Sequence, residues 1–468
     1  MVRIPQILII LLWLSNLTIL FQAFAIAGYG VLYNDLIIAI MILIVLFQVI
    51  VEKRKFHFQN NAITTFLFLS ILAALISGIG LIFWGGSEEI AQFFKSFIHY
   101  SYYIIFALLF TIAEVDDDAF YNTIKIVLIV AFFVNIFGVY QIFARLYNLP
   151  LAWIDITNIS FEQRGMREIE GETEQLALRF GNFYRATSIF SEPSGLAFYN
   201  VFNLVYIVVP FIRGSRPFIK NPVINLLVFI SVIIGLLTPF SLGGLSVVLL
   251  FLFLLIIIEK VKVKRFIFPA LLLIGVILIF DNYFYQQTQT SIISLFNERV
   301  SGLLSTKTGV APIFGESTPG RLNSFKNAYQ IFETSPLVGI GLGNTYYHPL
   351  SHIRFADSTF FGILAEMGLF GICVFLGLIF FGIRNSMFLR KSEILENTYN
   401  DKLNTVQSIM VYSWIMISFD ALVLAGIHGT PALWMPLAML IATYKSTLKN
   451  LHQNNFDFEK YKLSNYDV

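Results

Sequence analysis

Charge is scarce in this chain. Only 13% of its 468 residues are Asp, Glu, Lys or Arg, against 57% hydrophobic. A soluble globular domain carries roughly a quarter charged residues, so a set of soluble domains is excluded. Cysteine is nearly absent: Cys373 is the single one, and it rules out an intramolecular disulfide. The net charge is +2, too small for a nucleic-acid partner. No cleavable signal peptide is apparent; the first apolar run begins at Ile4 and flows into a second, as a retained span does. Also missing are low-complexity tracts, similar halves of the kind many transporters show, and a phosphate loop.

What is present is apolar sequence in long runs, with a mean hydropathy of +0.75. A span takes about 20 mostly apolar residues. The sequence divides into about twelve: 7–26, 34–51, 62–84, 96–114, 121–145, 195–212, 223–239, 243–259, 266–282, 358–383, 405–425 and 431–448. The expected fold is an all-α integral membrane protein, one polytopic domain over 1–468. Lys and Arg set the orientation. With the N-terminus cytoplasmic, the inside loops hold Lys53, Arg54 and Lys55; Arg213, Arg216 and Lys220; Lys260, Lys262, Lys264 and Arg265; and Arg384, Arg390, Lys391 and Lys402. The outside turns 27–33, 240–242 and 426–430 hold none. Both termini are then cytoplasmic, with a polar tail over 449–468. Two long polar segments fall outside: 147–187, and the larger 283–357 between spans nine and ten. Long loops of this kind usually carry function.

The larger loop is the richest in candidates. Ser317-Thr318-Pro319-Gly320-Arg321 reads as a helix start, with a hydroxyl cap and then proline. Leu322, Phe325, Tyr329 and Phe332 follow at helical spacing and predict an amphipathic helix on the membrane surface or the bundle. Ser335-Pro336 stops it. Gly339-Ile340-Gly341-Leu342-Gly343 lacks the Lys-Ser/Thr of a phosphate loop and reads as a tight backbone path against helices. His348, His352, Arg354 and Asp357 come next, just before span ten. Asp357 and Ser358 suit a cap there, and a helix N-terminus with Arg321 and Arg354 nearby suits a phosphate. An ordinary cap among solvated charges is the plainer alternative. The i, i+4 spacing of His348 and His352 fits a metal on a helix, but Pro349 and the missing third ligand argue against one.

A second set opens span six: Arg185-Ala186-Thr187-Ser188-Ile189-Phe190-Ser191-Glu192-Pro193-Ser194. Arg and Glu at the membrane plane are costly unless they pair or act. Arg185 suits an anionic head group, and Glu192 a base or a sugar-hydroxyl ligand; a local cap or pair is the alternative for Glu192. Glu366, a little over two turns into span ten, has either a pairing role with an Arg or a substrate role. His428 reads as a satisfied interfacial histidine.

These residues together resemble the O-antigen ligase and polysaccharide polymerase family. The similarity lies in the whole-chain plan, with a large outer loop before the third-last span. It lies also in the order of the stretch from Arg321 to Gly371: Arg, amphipathic helix, Ser335-Pro336-Leu337, Gly339-x-Gly341-x-Gly343, Asp357-Ser358, then Glu366-Met367-Gly368-Leu369-Phe370-Gly371. Ser188 to Ser194 is similar to a motif seen among the polymerases. Ligases of the family typically have His where this chain has Asp357, so the resemblance favours a polymerase.

The resemblance implies a glycosyltransferase at the outer face of the bacterial cytoplasmic membrane. Its substrate would be oligosaccharide repeat units on a polyprenyl pyrophosphate. Membrane lipid surrounds it, and a flippase and a chain-length regulator are the implied partners. Arg321, with Arg185 and Arg354 behind it, would neutralise the departing pyrophosphate; Asp357 or Glu192 would take the acceptor proton. His348, His352 and Glu366 are further substrate-binding candidates. No cofactor and no metal is implied, because activation resides in the lipid pyrophosphate. A ligase, differing in acceptor, and a secondary transporter are the alternatives.

Overall fold

The computed structural model describes residues 1–18, 21–26, 29–56, 58–59, 61–154, 175, 179–180, 183–260, 317–351, 358–396 and 401–453, with short pieces between 274 and 297. Helices dominate: α1 Gln6–Ser15, α2 Tyr33–Ile50, α3 Ala62–Ser77, α4 Ser87–Ile112, α5 Ala119–Tyr147, α6 Pro193–Arg213, α7 Pro222–Leu237, α8 Leu242–Glu259, α9 Ser317–Thr334, α10 Thr359–Glu396, α11 Asp401–Phe419 and α12 Pro431–Gln453. A 3-10 turn, Gly78–Phe83, extends α3, and a π-turn, Asp420–Leu424, extends α11. Two short antiparallel pairs complete the described elements: β1 Gln22–Ile26 with β2 Tyr29–Leu32, and β3 Arg179–Phe180 with β4 Phe183–Tyr184.

Among the described residues, eight helices are long and apolar enough to cross a membrane. They correspond to α2, α3 with its 3-10 turn, α4, α5, α6, α8, α10 as far as Ser392, and α11 with its π-turn. Several differences from the twelve expected spans have a local cause. The run 7–26 is not one helix: α1 ends at Ser15 and the chain turns into the β1–β2 hairpin. Only ten residues are α-helical there, about 15 Å of rise, and a 3-10 turn, Asn16–Thr18, follows them. The 16 residues of α7 rise about 24 Å, short of a hydrocarbon core of about 30 Å. The fourth span starts earlier than expected, because Ser87, Glu88 and Glu89 already form the first turn of α4, where the Glu89 carboxylate accepts from the Gly86 amide at 2.7 Å. Most of 266–282 lies outside the described residues. The tail expected from Lys449 is helical as far as Gln453.

Backbone and ion-pair contacts gather the basic loops at one end. Arg3 and Lys449 both reach Glu114, Lys445 donates to the carbonyls of Thr111 and Ala113, and Lys402 pairs with Asp118. Arg213 and Arg390 share Glu259 at 3.1 and 3.6 Å. Residue 3 and residues 445–449 therefore lie at the same end as the basic connections. The opposite end holds the β1–β2 hairpin, α9 and the residues around 425–430.

Within the bundle α10 packs on α3 and α11, α12 on α4, and α6 on α7, α8 and α11. In lipid no hydrophobic force draws helices together, so contact depends on close packing. A Cβ on Gly377 would stand 2.0 Å from the Phe66 ring, which is how α10 and α3 approach.

Candidate functional site

The site is built around a broken helix. Inside α10, Gly368 has φ 63° and ψ −162°, a conformation essentially confined to glycine. The break frees two carbonyls, of Ala365 and Glu366, and two amides, of Leu369 and Phe370. In the membrane each must find a partner. The loop after α9 supplies all four: Ile340 donates to Ala365 at 3.1 Å and Gly341 to Glu366 at 3.0 Å, while Leu369 donates to Pro336 at 2.8 Å and Phe370 to Leu337 at 3.2 Å. The glycines permit this approach. Gly339, Gly341 and Gly343 all have positive φ, and a Cβ on Gly339 would lie 2.3 Å from the Glu366 carbonyl. The tight-path reading of this glycine run is thus what the structure shows. Trp84 bonds the Ile340 carbonyl at 3.2 Å, and the Ser77 hydroxyl accepts from the Leu342 amide at 3.2 Å, tying the loop to α3 as well.

Glu366 lies beneath this loop. Thr345 donates to its Oε1 at 2.6 Å, the Gly343 amide also serves it, and His428 Nε2 stands 3.7 Å from its Oε2. The expected pairing of Glu366 with an arginine is corrected: its partner is His428, brought across by the turn before α12. His428 is accordingly more than an interfacial ring. Its Nδ1 is buried without a hydrogen-bond partner among the described residues, and its carbonyl accepts from Trp434.

The helix α9 packs on the start of α10. Phe325 stacks on Phe361 at 4.5 Å, and Ala328, Ile331, Ile340 and Ala365 form a small buried cluster below them. The apolar stripe is split, with Phe325 against α10. Leu322 and Tyr329 are exposed, whereas Ser324, Asn327 and Ala328 are buried, Asn327 donating to the Leu350 carbonyl at 2.8 Å. The helix turns its small residues to the protein because the glycine loop lies close beneath. Arg321 sits one turn before Phe325, half-buried at the mouth.

At that mouth α10 begins against the end of α11. Ser358 donates to the Leu422 carbonyl at 2.7 Å, and Thr359 bonds Ala425 through both its amide and its hydroxyl. These bonds fix the π-turn that opens with Asp420. Asp420 is 6% exposed, and its Oδ1 has no hydrogen-bond partner among the described residues. The charges that act on it are Arg321, attractive, and Glu192, repulsive. Arg321 and Glu192, on two other elements, thus lie within electrostatic reach of Asp420, with no ion pair at contact distance among these three.

Glu192 is the exposed N-cap residue of α6, and its carboxylate accepts from the Ser194 hydroxyl rather than from the helix amides. The segment leading to it is held from α5. Arg145 is buried and donates to the carbonyls of Ala152 and Arg185, to Gln175 and to Thr187, at 2.6 to 2.9 Å. Its guanidinium also lies 4.2 Å above the Trp153 ring. Gln141, one turn before Arg145, donates to the Ser188 carbonyl at 2.9 Å. Ser188 has φ 52° and donates to the Val134 carbonyl. Arg185 itself is buried within this frame.

His348 is buried too. Its ring meets Trp84 edge-on at 4.9 Å, its Nδ1 accepts from the Leu350 amide, and burial holds it below the usual imidazole range, so it is neutral near pH 7 and offers no positive charge to an anion. His352, Arg354 and Asp357 lie outside the described residues.

Residues 224–376 match the family model described as O-antigen ligase, Wzy_C. The chain carries an O-antigen ligase family domain. The match covers 153 of the 468 residues, and over that segment the chain is similar to the O-antigen ligases. No curated protein matches the chain. The matched segment runs from α7 into α10 and includes Arg321, the glycine loop and Glu366. Glu192, Asp420 and His428 lie outside it.

Asp420 and Arg145 were absent from the sequence-level candidates. A signal existed for both. Each is an ionisable residue in or at the end of an apolar run, and such a residue warrants a functional or structural role by default.

Proposed function

We propose that this O-antigen ligase family member is a polysaccharide polymerase. It joins oligosaccharide repeat units carried on polyprenyl pyrophosphate, at the outer face of the bacterial cytoplasmic membrane. The observation that supports the proposal is a buried carboxylate, Asp420, within electrostatic reach of Arg321 and Glu192, at the end of the bundle away from the basic loops. By the positive-inside rule the basic end is cytoplasmic, with both termini.

In the reaction an acceptor sugar hydroxyl attacks the anomeric carbon of the donor glycan. The new carbon–oxygen bond forms as the bond to the pyrophosphate oxygen breaks, and the polyprenyl pyrophosphate leaves with the electron pair. Arg321 offsets the charge gathering on that leaving group. The hydroxyl proton passes to a carboxylate. Asp420 suits that role: it is buried, and its Oδ1 has no hydrogen-bond partner among the described residues. Glu192, exposed at the start of α6, suits binding of sugar hydroxyls, and Asp357, outside the described residues, is a further carboxylate candidate. The isoprenoid lies along the apolar outer faces of the helices. Asp357 in the place of the ligase histidine favours polymerisation over ligation. A flippase supplying the lipid-linked unit and a chain-length regulator complete the proposed setting.

The test is the surface-glycan profile of the native host carrying Arg321→Ala, with membrane levels of the variant measured. Loss of about 100-fold in activity collapses the ladder to one repeat unit while the protein stays abundant. Long polymer that is no longer joined to its final acceptor identifies a ligase instead. An unchanged profile refutes both.

A further inference from the structure

The basic end holds a feature that glycan transfer does not use. A cavity of about 430 Å³ lies between the start of α5, the connection from α6 to α7 and the start of α11. Its lining contains Lys125, Arg216, Lys220 and Lys402, and no acidic residue. Asp118, just outside, pairs with Lys402. The remaining three cations come from two separate elements and face one space. Arg216 is held in place: its guanidinium lies 5.6 Å from the Tyr121 ring centroid, and Thr405 donates to its carbonyl at 2.9 Å. Tyr121 is itself fixed through its hydroxyl to the Pro217 carbonyl at 2.7 Å.

The rest of the lining is Asn122, Asn221 and Tyr121 beside the apolar Ile129, Phe218, Ile219 and Ile224. Ile129 and Ile224, 39% and 46% exposed, continue the cavity onto the outer surface of α5 and α7. Cations at the membrane boundary are expected of any cytoplasmic end. Ordinary topology signals, however, are solvated and dispersed. Here they surround a cavity whose apolar side opens along two helices, the shape of a phosphate attached to an acyl chain.

We propose that this cavity is a binding site for an anionic glycerophospholipid. The phosphate is held by Arg216, Lys220 and Lys125, and an acyl chain lies against Ile129 and Ile224. Basic pockets between membrane helices at the cytoplasmic side select such head groups. The bound lipid would brace α7 against α5 where α7 is too short to span by itself. The site is separate from the glycan chemistry, so it stands or falls independently of the polymerase reading.

The experiment is native mass spectrometry of the full chain in neutral detergent, titrated with phosphatidylglycerol, phosphatidylcholine or inorganic phosphate. Phosphatidylglycerol is expected to remain bound at collision energies that strip phosphatidylcholine. The Arg216→Gln, Lys220→Gln pair should weaken it by about 30-fold. Should that pair fail to accumulate, Lys125→Gln with Lys220→Gln, both exposed positions, should produce a loss of similar size. Equal retention of the two lipids, or unchanged binding in an abundant variant, overturns the proposal. Inorganic phosphate that binds as tightly as phosphatidylglycerol assigns the cavity to a free anion and overturns it as well.

Discussion

The Gly341 amide donates to the Glu366 carbonyl at 3.0 Å, across a helix that Gly368 has broken. That bond joins two sequence motifs 25 positions apart into one backbone unit. In a continuous helix the Glu366 carbonyl would serve Phe370; here Phe370 turns to Leu337 instead. The exchange of four bonds lets a membrane helix stop and restart without leaving a polar group unmatched. It also holds the loop that carries Thr345 over the Glu366 carboxylate.

Gly339→Ala should disrupt this unit. A Cβ there meets the Glu366 and Met367 backbone at 2.3 to 2.4 Å, at a φ of +77°. The expected destabilisation is about 3 kcal/mol or more. Gly429→Ala, with nothing within 4 Å, should stay within about 0.5 kcal/mol. Thermal unfolding in detergent followed by size-exclusion chromatography compares the two, and equal midpoints would remove the steric argument.

Asp420→Asn keeps the shape of the side chain and removes its capacity to accept a proton. Transfer between purified lipid-linked units should fall by about 100-fold or more, with the variant as abundant as wild type. Formate added to Asp420→Ala should restore part of the rate. A fully active Asn variant would transfer the proton role to Asp357 or Glu192.

Glu366 and His428 should be energetically coupled. In a double-mutant cycle with Glu366→Gln and His428→Gln, the interaction is expected at about 1 kcal/mol or more, read from unfolding midpoints. Additive effects would mean that the 3.7 Å approach contributes nothing.

Arg145→Met should be more damaging than its size suggests. It leaves the carbonyls of Ala152 and Arg185, with Gln175 and Thr187, short of a donor in a buried place. A loss of about 3 kcal/mol is expected. Lys cannot reproduce the fork of bonds, so Arg145→Lys should recover little. Proteolysis of the 148–192 segment in native membranes would show the loosening, and a wild-type cleavage pattern in both variants would contradict it.

Much of the architecture could be read without coordinates. Composition and apolar runs determine a helical membrane protein, because a chain this poor in charge must satisfy its backbone within each segment. The glycine run and the helix after Pro319 follow from local chemistry. The end of α1 at Ser15 does not, since apolar residues continue past it and hydropathy alone cannot separate a helix from a hairpin.

Tertiary structure decided the partnerships. Periodicity marked Leu322, Phe325, Tyr329 and Phe332 as one apolar stripe, on the membrane surface or the bundle, yet Ser324, Asn327 and Ala328 are the buried ones, because the surface beneath is the backbone of the glycine loop. Glu366 met His428, 62 positions further on, and Arg321 came within electrostatic reach of Asp420, 99 positions further on; neither separation leaves a mark in a local pattern. A sequence specifies which residues are costly to bury. Only the packing of distant helices determines which other charge makes that burial tolerable, and so where the candidate chemistry lies.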